Sequence, residues 1–290
     1  VKHLRALLRV LLLTTFSMMI LLVRVAVWPT AFFSRRADRR VRRLLLRAWA
    51  TVFAAISGVR VKTEGPKPKP PFFLVMNHLS YFDMLVLARE TGCIFVSRED
   101  VQHWPLFGFV AKSLYIIFID RALKRDTVRV NGLIRKTVQE GDGIGIFAES
   151  TVSCGMTVEP FKSPLLQSAI DLGMPVHYAA LNYRTPKGAP VEGEIVSWWR
   201  PEPFYVHLYR FLQYPGVTAT LRFCEEPLYD HDRKALARRL HAGVLAKFTP
   251  LRQAACVYAE NRFPIEVPPP GEASGEIHQE TTVRTAFPAE

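Results

Sequence analysis

From Val59 onward the chain alternates short β-rich apolar runs with stretches of helical character. No other feature narrows the possible folds as much. The runs cover 59–63, 72–76, 93–97, 115–119, 144–148, 175–182, 191–198 and 217–223, with helical stretches at 126–140, 164–172 and 232–248. Strands that alternate with helices predict an α/β fold, a mixed and largely parallel sheet with helices against it. The stretch 66–71 is Pro-rich and forms a stiff connector, whereas 263–290 is a Pro, Glu and Thr tail without periodicity, expected to be disordered. No internal repeat is present.

The residues before Val59 differ in kind. The chain carries a net charge of +12, which invites a nucleic-acid partner, but residues 1–60 hold twelve Lys and Arg against one acid, Asp38. The charge therefore belongs to the amino-terminal segment, and nucleic acid is not an expected partner. The same segment contains the longest apolar stretch, Val10 to Trp28. As a helix it is roughly 28 Å long, close to a hydrocarbon core of about 30 Å. It ends in Trp28-Pro29 rather than a small-residue cleavage site and runs into Arg35, Arg36, Arg39, Arg40, Arg42 and Arg43. These features indicate a retained anchor with the rest of the chain on the cytoplasmic face of a membrane. The basic block would be drawn to an anionic membrane surface. Arg24 inside the apolar stretch leaves two arrangements open, a spanning helix or an interfacial one. The expected organisation is an anchor over 1–58 (apolar helix 10–28, basic amphipathic helix 35–57), a catalytic or binding domain over 59–262, and the tail. Cys93, Cys154, Cys224 and Cys256 lie far apart with no metal-ligand spacing, as in a protein of a reducing compartment that holds no metal.

Three strand ends carry reactive side chains. The run 72–76 leads into Asn77-His78-Leu79-Ser80-Tyr81-Phe82-Asp83. Histidine takes up a proton near neutrality and a carboxylate can fix its tautomer, so His78 and Asp83 have the chemistry of a general base. Five residues along one helix would turn them apart; they meet only if the chain bends, as at a strand-to-helix turn with Ser80 or Asp83 capping the helix. On spacing alone the pair reads more simply as a capped turn. The run 115–119 stops at Asp120-Arg121, and an arginine there suits an anion, although an Asp120/Arg121 surface pair is commoner. The run 144–148 leads into Glu149-Ser150-Thr151, a polar loop able to hold an anion or hydroxyls, with Lys162 further on. Gly141-Asp142-Gly143 precedes its strand and is a turn rather than a dinucleotide fingerprint.

In order and spacing these segments resemble the glycerolipid acyltransferases that acylate lysophosphatidic acid and related lysolipids. Asn77, His78 and Asp83 match the family's Asn-His-x-x-x-x-Asp. Ile117-Phe118-Ile119 with Arg121 matches its second motif, with Tyr115 where a glycine usually opens it. Phe147-Ala148-Glu149-Ser150-Thr151 matches Phe-Pro-Glu-Gly-Thr with the proline and glycine replaced, Phe161-Lys162 follows, and Pro175-Val176 stands for the fourth motif, with His177 at an apolar position. The likeness is strongest from Phe72 to Tyr183. The continuation after Thr151 and the Trp198-Trp199 region look most like a bacterial branch that includes lyso-ornithine lipid acyltransferases.

The resemblance implies transfer of a fatty acyl group from acyl-CoA or acyl-carrier protein, as co-substrate and without a bound cofactor, to a lysolipid hydroxyl. The first acceptor it suggests is 1-acyl-sn-glycerol-3-phosphate, and the alternative is lyso-ornithine lipid. His78 and Asp83 would be catalytic, and Asn77, Arg121, Glu149, Ser150, Thr151 and Lys162 would bind substrate. Two other readings compete: hydrolysis with Ser80 as nucleophile, and a lipid-binding protein without catalysis. No Gly-x-Ser-x-Gly surrounds Ser80, and a binding protein would have no need of His78 and Asp83.

Overall fold

The computed structural model describes residues 1–104 and 106–253. The expected tail, 263–290, and the last residues of the expected domain lie outside the described residues. Three helices come first: α1 (Lys2–Ala26), α2 (Thr30–Phe33) and α3 (Arg35–Ser57). Then β1 (Val59–Glu64), β2 (Phe72–Met76), α4 (Phe82–Thr91), β3 (Ile94–Arg98), α5 (Phe107–Ser113), β4 (Ile117–Ile119), α6 (Lys124–Gln139) and β5 (Gly143–Phe147) follow. The remaining elements are α7 (Gln167–Asp171), β6 (Val176–Arg184), α8 (Glu192–Ile195), α9 (Phe204–Leu212), β7 (Val217–Phe223) and α10 (Arg233–Lys247).

The seven strands form one sheet in the order β1-β7-β6-β2-β5-β3-β4, parallel throughout except for the β6/β7 pair. Central strands are covered on both faces and therefore read as unbroken apolar runs, as in β2 and β5, every residue of which is buried. The residues of β2 divide between two cores. Phe72, Leu74 and Met76 pack with α3, α4 and α9, and Phe73 and Val75 pack with α6, α7 and α10.

The amino-terminal helices are part of the first of these cores. Leu46, Trp49, Ala50 and Phe53 of α3 join Phe82 and Leu85 of α4 beneath the sheet. Ser34 caps α3, accepting a hydrogen bond from the Ala37 amide, and Gly58 ends it at φ 82°, a conformation that favours glycine. Asp232 caps α10 in the same way, accepting from Lys234 and Ala235.

Three expectations are corrected. The run 191–198 is not a strand: it begins with the short helix α8, where the buried Glu192 accepts from Arg252 and from the Thr185 amide. The strand expected over 115–119 starts only at Ile117, since Tyr115 has φ 63° and cannot join a pleat. Neither Ser80 nor Asp83 is the N-cap of α4; Tyr81 holds that position without a side-chain bond, and Asp83 lies inside the first turn.

Candidate active site

At the end of β2 the Asn77 amide group bridges to β6, donating to the Leu181 carbonyl at 3.0 Å and accepting from the Leu181 amide at 2.7 Å. This clamp fixes the point at which the chain leaves the sheet. The next residues fold back over the start of α4, and Asp83 reaches upstream from inside the helix. Its Oδ2 accepts from His78 Nδ1 at 2.8 Å and from the Leu79 and Ser80 amides at 2.5 and 2.9 Å. Its Oδ1 accepts from the Tyr183 hydroxyl at 2.7 Å. Four donors on one fully buried carboxylate hold it in place and assign the proton of the neutral imidazole to Nδ1. Nε2 is left as the free lone pair of His78, whose ring stacks on Phe147 at 4.3 Å.

The loop after β5 braces this turn. Glu149 accepts from the His78 amide at 2.5 Å and from the Glu159 amide at 2.8 Å. Burial pushes its carboxyl up to about 8, against the opposing pull of those two amides. Ser153 donates its amide to the His78 carbonyl, and Trp198 donates its amide to the Leu79 carbonyl. The misread segment around Trp198 is thus a strut of the site.

His78 opens on a cavity whose lining includes Tyr81, Arg98, Trp104, Arg121, Thr151 and Trp198. Of the residues singled out from sequence, His78, Arg121 and Thr151 converge there, with Asp83 directly behind His78. Asn77 and Glu149 are buried behind the cavity with their polar atoms turned to backbone, so neither faces a ligand. Ser150 lies beside Thr151 at φ 65°. Lys162 is exposed and is not among the lining residues.

Arg98 is the cation that sequence reasoning missed. It stands at the carboxyl end of β3, so the strand-end rule that singled out Arg121 applies equally to it. Its guanidinium pairs bidentately with Asp100 at 2.7 and 2.5 Å, which raises the arginine's pKa and lowers the carboxylate's. Arg121 is shifted down, first by its crowded surroundings and then by the like charge of Arg98. Because the residue as a whole is exposed, it stays a cation.

A family model described as Acyltransferase matches residues 58–181, which carry this site. A lyso-ornithine lipid O-acyltransferase of Brucella abortus is 31% identical over 209 residues, 67% of this chain and 78% of that one. The chain belongs to the glycerolipid acyltransferase family. This acyltransferase is also 28% identical over 236 residues to a Rhizobium meliloti protein named lyso-ornithine lipid O-acyltransferase, covering 77% of this chain and 80% of the relative. A 1-acyl-sn-glycerol-3-phosphate acyltransferase of Neisseria meningitidis is 30% identical over 138 residues, 47% of this chain and 54% of that one. The crystal structure of a 1-acyl-sn-glycerophosphate acyltransferase from Thermotoga maritima has the same fold, with a TM-score of 0.59 at 20% identity over 84% of this chain and 96% of that one.

Both positions at which the acyltransferase motifs carry another residue in place of glycine, Tyr115 and Ser150, have φ above 60°. The backbone conformation that suits glycine is kept without it. Tyr115 holds the Arg42 guanidinium 4.0 Å from the centre of its ring, a stabilising contact that a glycine would lack.

Proposed function

We propose that this acyltransferase moves a fatty acyl group from a thioester, acyl-CoA or acyl-carrier protein, to the hydroxyl of a lysolipid, with His78 as general base. One observation carries the reading: the 2.8 Å bond from His78 Nδ1 to Asp83 leaves Nε2 as the acceptor beside a cavity that also holds two arginines. The acceptor hydroxyl attacks the thioester carbonyl as Nε2 takes its proton. The tetrahedral intermediate then collapses, the carbon–sulfur bond breaks, and the imidazolium returns the proton to the leaving thiolate. Asp83 keeps the ring in one tautomer and steadies its charge. No covalent enzyme intermediate is needed, and Ser80, fully buried and outside the cavity lining, is not placed to form one.

For the acceptor we favour a lyso-ornithine lipid. The Rhizobium meliloti and Brucella abortus relatives, whose sequences align over most of the chain, carry that name. An amino-acid headgroup has a carboxylate, and Arg98 and Arg121 at the cavity offer partners for it. The two arginines also suit a phosphate, which keeps 1-acyl-sn-glycerol-3-phosphate as the second reading. Parallel assays with both lysolipids and a labelled thioester test this: higher kcat/KM on lyso-ornithine lipid is expected, and a tenfold preference for the phosphate would reverse the assignment. His78→Ala should lose activity by about 10²–10⁴-fold on either acceptor. Full activity in that variant would remove the base.

The amino-terminal helices support an interfacial anchor. α1 is long and apolar enough to cross a membrane by length and composition. It nevertheless touches the rest of the protein along its whole length, from His3 against Tyr209 to Arg24, whose Nε donates to the Ser113 carbonyl. One face is buried through Ala6, Leu13, Ser17 and Ile20, while Leu4, Leu7, Leu8, Leu11 and Leu22 stand exposed on the other. A helix of this kind lies in one leaflet with its free face in lipid. We place the catalytic cavity on the cytoplasmic side, where acyl thioesters are found.

A further inference from the structure

A second basic site lies away from the His78 cavity, at the sheet edge formed by β1. Here a groove of ≈ 900 Å³ is lined by Lys2, Arg60, Arg184 and Lys187, with no acidic residue in its lining. Arg60 and Lys187 are exposed, and their side chains make no hydrogen bond or ion pair among the described residues. Arg184 donates to the Tyr183 and Pro250 carbonyls and lies 3.9 Å from Glu192, and the Lys2 ammonium is 5.9 Å from the Tyr214 ring. In the arginine block of α3, half of the cations are committed, Arg39 to Glu140, Arg42 to Asp38 and Arg43 to Asp142, while Arg35, Arg36 and Arg40 are exposed.

The position of the groove indicates its occupant. One wall is the turn from Tyr214 to Gly216, and α1 is fastened to the same turn. Arg5 donates to the Gln213 carbonyl at 3.0 Å, and Arg9 donates to the Tyr214 carbonyl at 2.6 Å. The exposed apolar stripe of α1 starts beside these bonds, at Leu4, Leu7 and Leu8. A cationic groove sharing a wall with the end of an interfacial apolar helix opens at headgroup depth.

We propose that this groove binds the phosphodiester headgroups of anionic phospholipids, as a docking site separate from the catalytic cavity. It shares no lining residue with that cavity, so its ligand is the surrounding membrane rather than the acceptor. The proposal rests on the interfacial reading of α1, and the test separates the two. The full-length protein is incubated with vesicles of phosphatidylcholine alone and with vesicles containing 30% phosphatidylglycerol, and binding is measured by flotation. Binding to the neutral vesicles reports α1. The increment on adding phosphatidylglycerol reports the exposed cations together, and the part of it lost when the groove's own cations are removed reports the groove. Arg60→Gln/Lys187→Gln should bind neutral vesicles as the wild type does and keep its activity in neutral mixed micelles. Its phosphatidylglycerol increment should fall about fivefold for each residue removed, roughly 25-fold in all. An unchanged increment in the double variant overturns the proposal while leaving α1 in the membrane. Failure of the wild type to bind either vesicle overturns the interfacial reading and the proposal with it.

Discussion

Asp83 is the residue on which the proposed chemistry depends, because four donors converge on it and one of them is the imidazole. Tyr183→Phe removes one donor and leaves the shape. It should lower kcat by severalfold and stability by about 1 kcal/mol, read from turnover and from the denaturation midpoint. Asp83→Asn sets an amide N–H against donors and frees the ring to flip, so its kcat should fall at least 10²-fold. If Tyr183→Phe proved as damaging as Asp83→Asn, the phenol would need a role beyond holding the carboxylate. Ser150 gives the opposite case. Its φ of 65° costs a non-glycine residue about 1–2 kcal/mol, against a smaller entropic cost for glycine. Ser150→Gly should therefore raise the melting temperature slightly and keep activity, and a clear loss of activity would mean that the hydroxyl binds substrate. The family motifs locate Ser150 as a departure, whereas only the backbone angle says what the departure does.

At the scale of elements, two contacts hold the working parts together. Glu149 ties the loop after β5 to the turn after β2, and it does so as a buried carboxyl lifted to about 8. In the unfolded chain it titrates near 4.3, so the folded state binds the extra proton between those values. Its contribution to stability is fully present below about pH 4.3 and is lost as pH rises through about 8. The stability difference between the wild type and Glu149→Gln should therefore shrink from pH 5 to pH 8, as measured by denaturant midpoints at several pH values; a constant difference would place the carboxyl near its ordinary pKa. The second contact joins α1 to α3. Arg24 and Asp38 are both buried and lie 2.9 Å apart, with Arg42 on the other carboxylate oxygen. Asp38→Ala leaves Arg24 buried without its counter-ion and should cost about 3–5 kcal/mol. A loss below 1 kcal/mol would show that Arg24 reaches water or lipid headgroups on its own.

Across the whole molecule, the amino-terminal helices and the α/β sheet share one hydrophobic core. In the proposed interfacial arrangement, a helix fastened from His3 to Arg24 would have both ends on the same side of a bilayer. Single cysteines placed at Lys2 and Phe33 should therefore react with a membrane-impermeant maleimide from the same side of sealed vesicles, whereas labelling from opposite sides would require α1 to span. The largely parallel sheet was legible in advance because β2 and β5 are covered on both faces and so are apolar throughout. The helix α9 was not, because its four aromatic residues and Val206 suit a strand, whereas in the fold it packs as a helix through His207, Leu208 and Phe211. The alternation of elements, the ends of β2, the family, and His78, Asp83 and Arg121 as the side chains to watch are readable from the chain before it folds. These depend on local periodicity and motif order, which one dimension records. Tertiary structure alone decided that Glu149 and Asn77 face backbone, that Arg98 joins Arg121, and that α1 lies along the domain. Which groups meet across 50 or 200 residues depends on how strands and helices pack, and no local pattern encodes that.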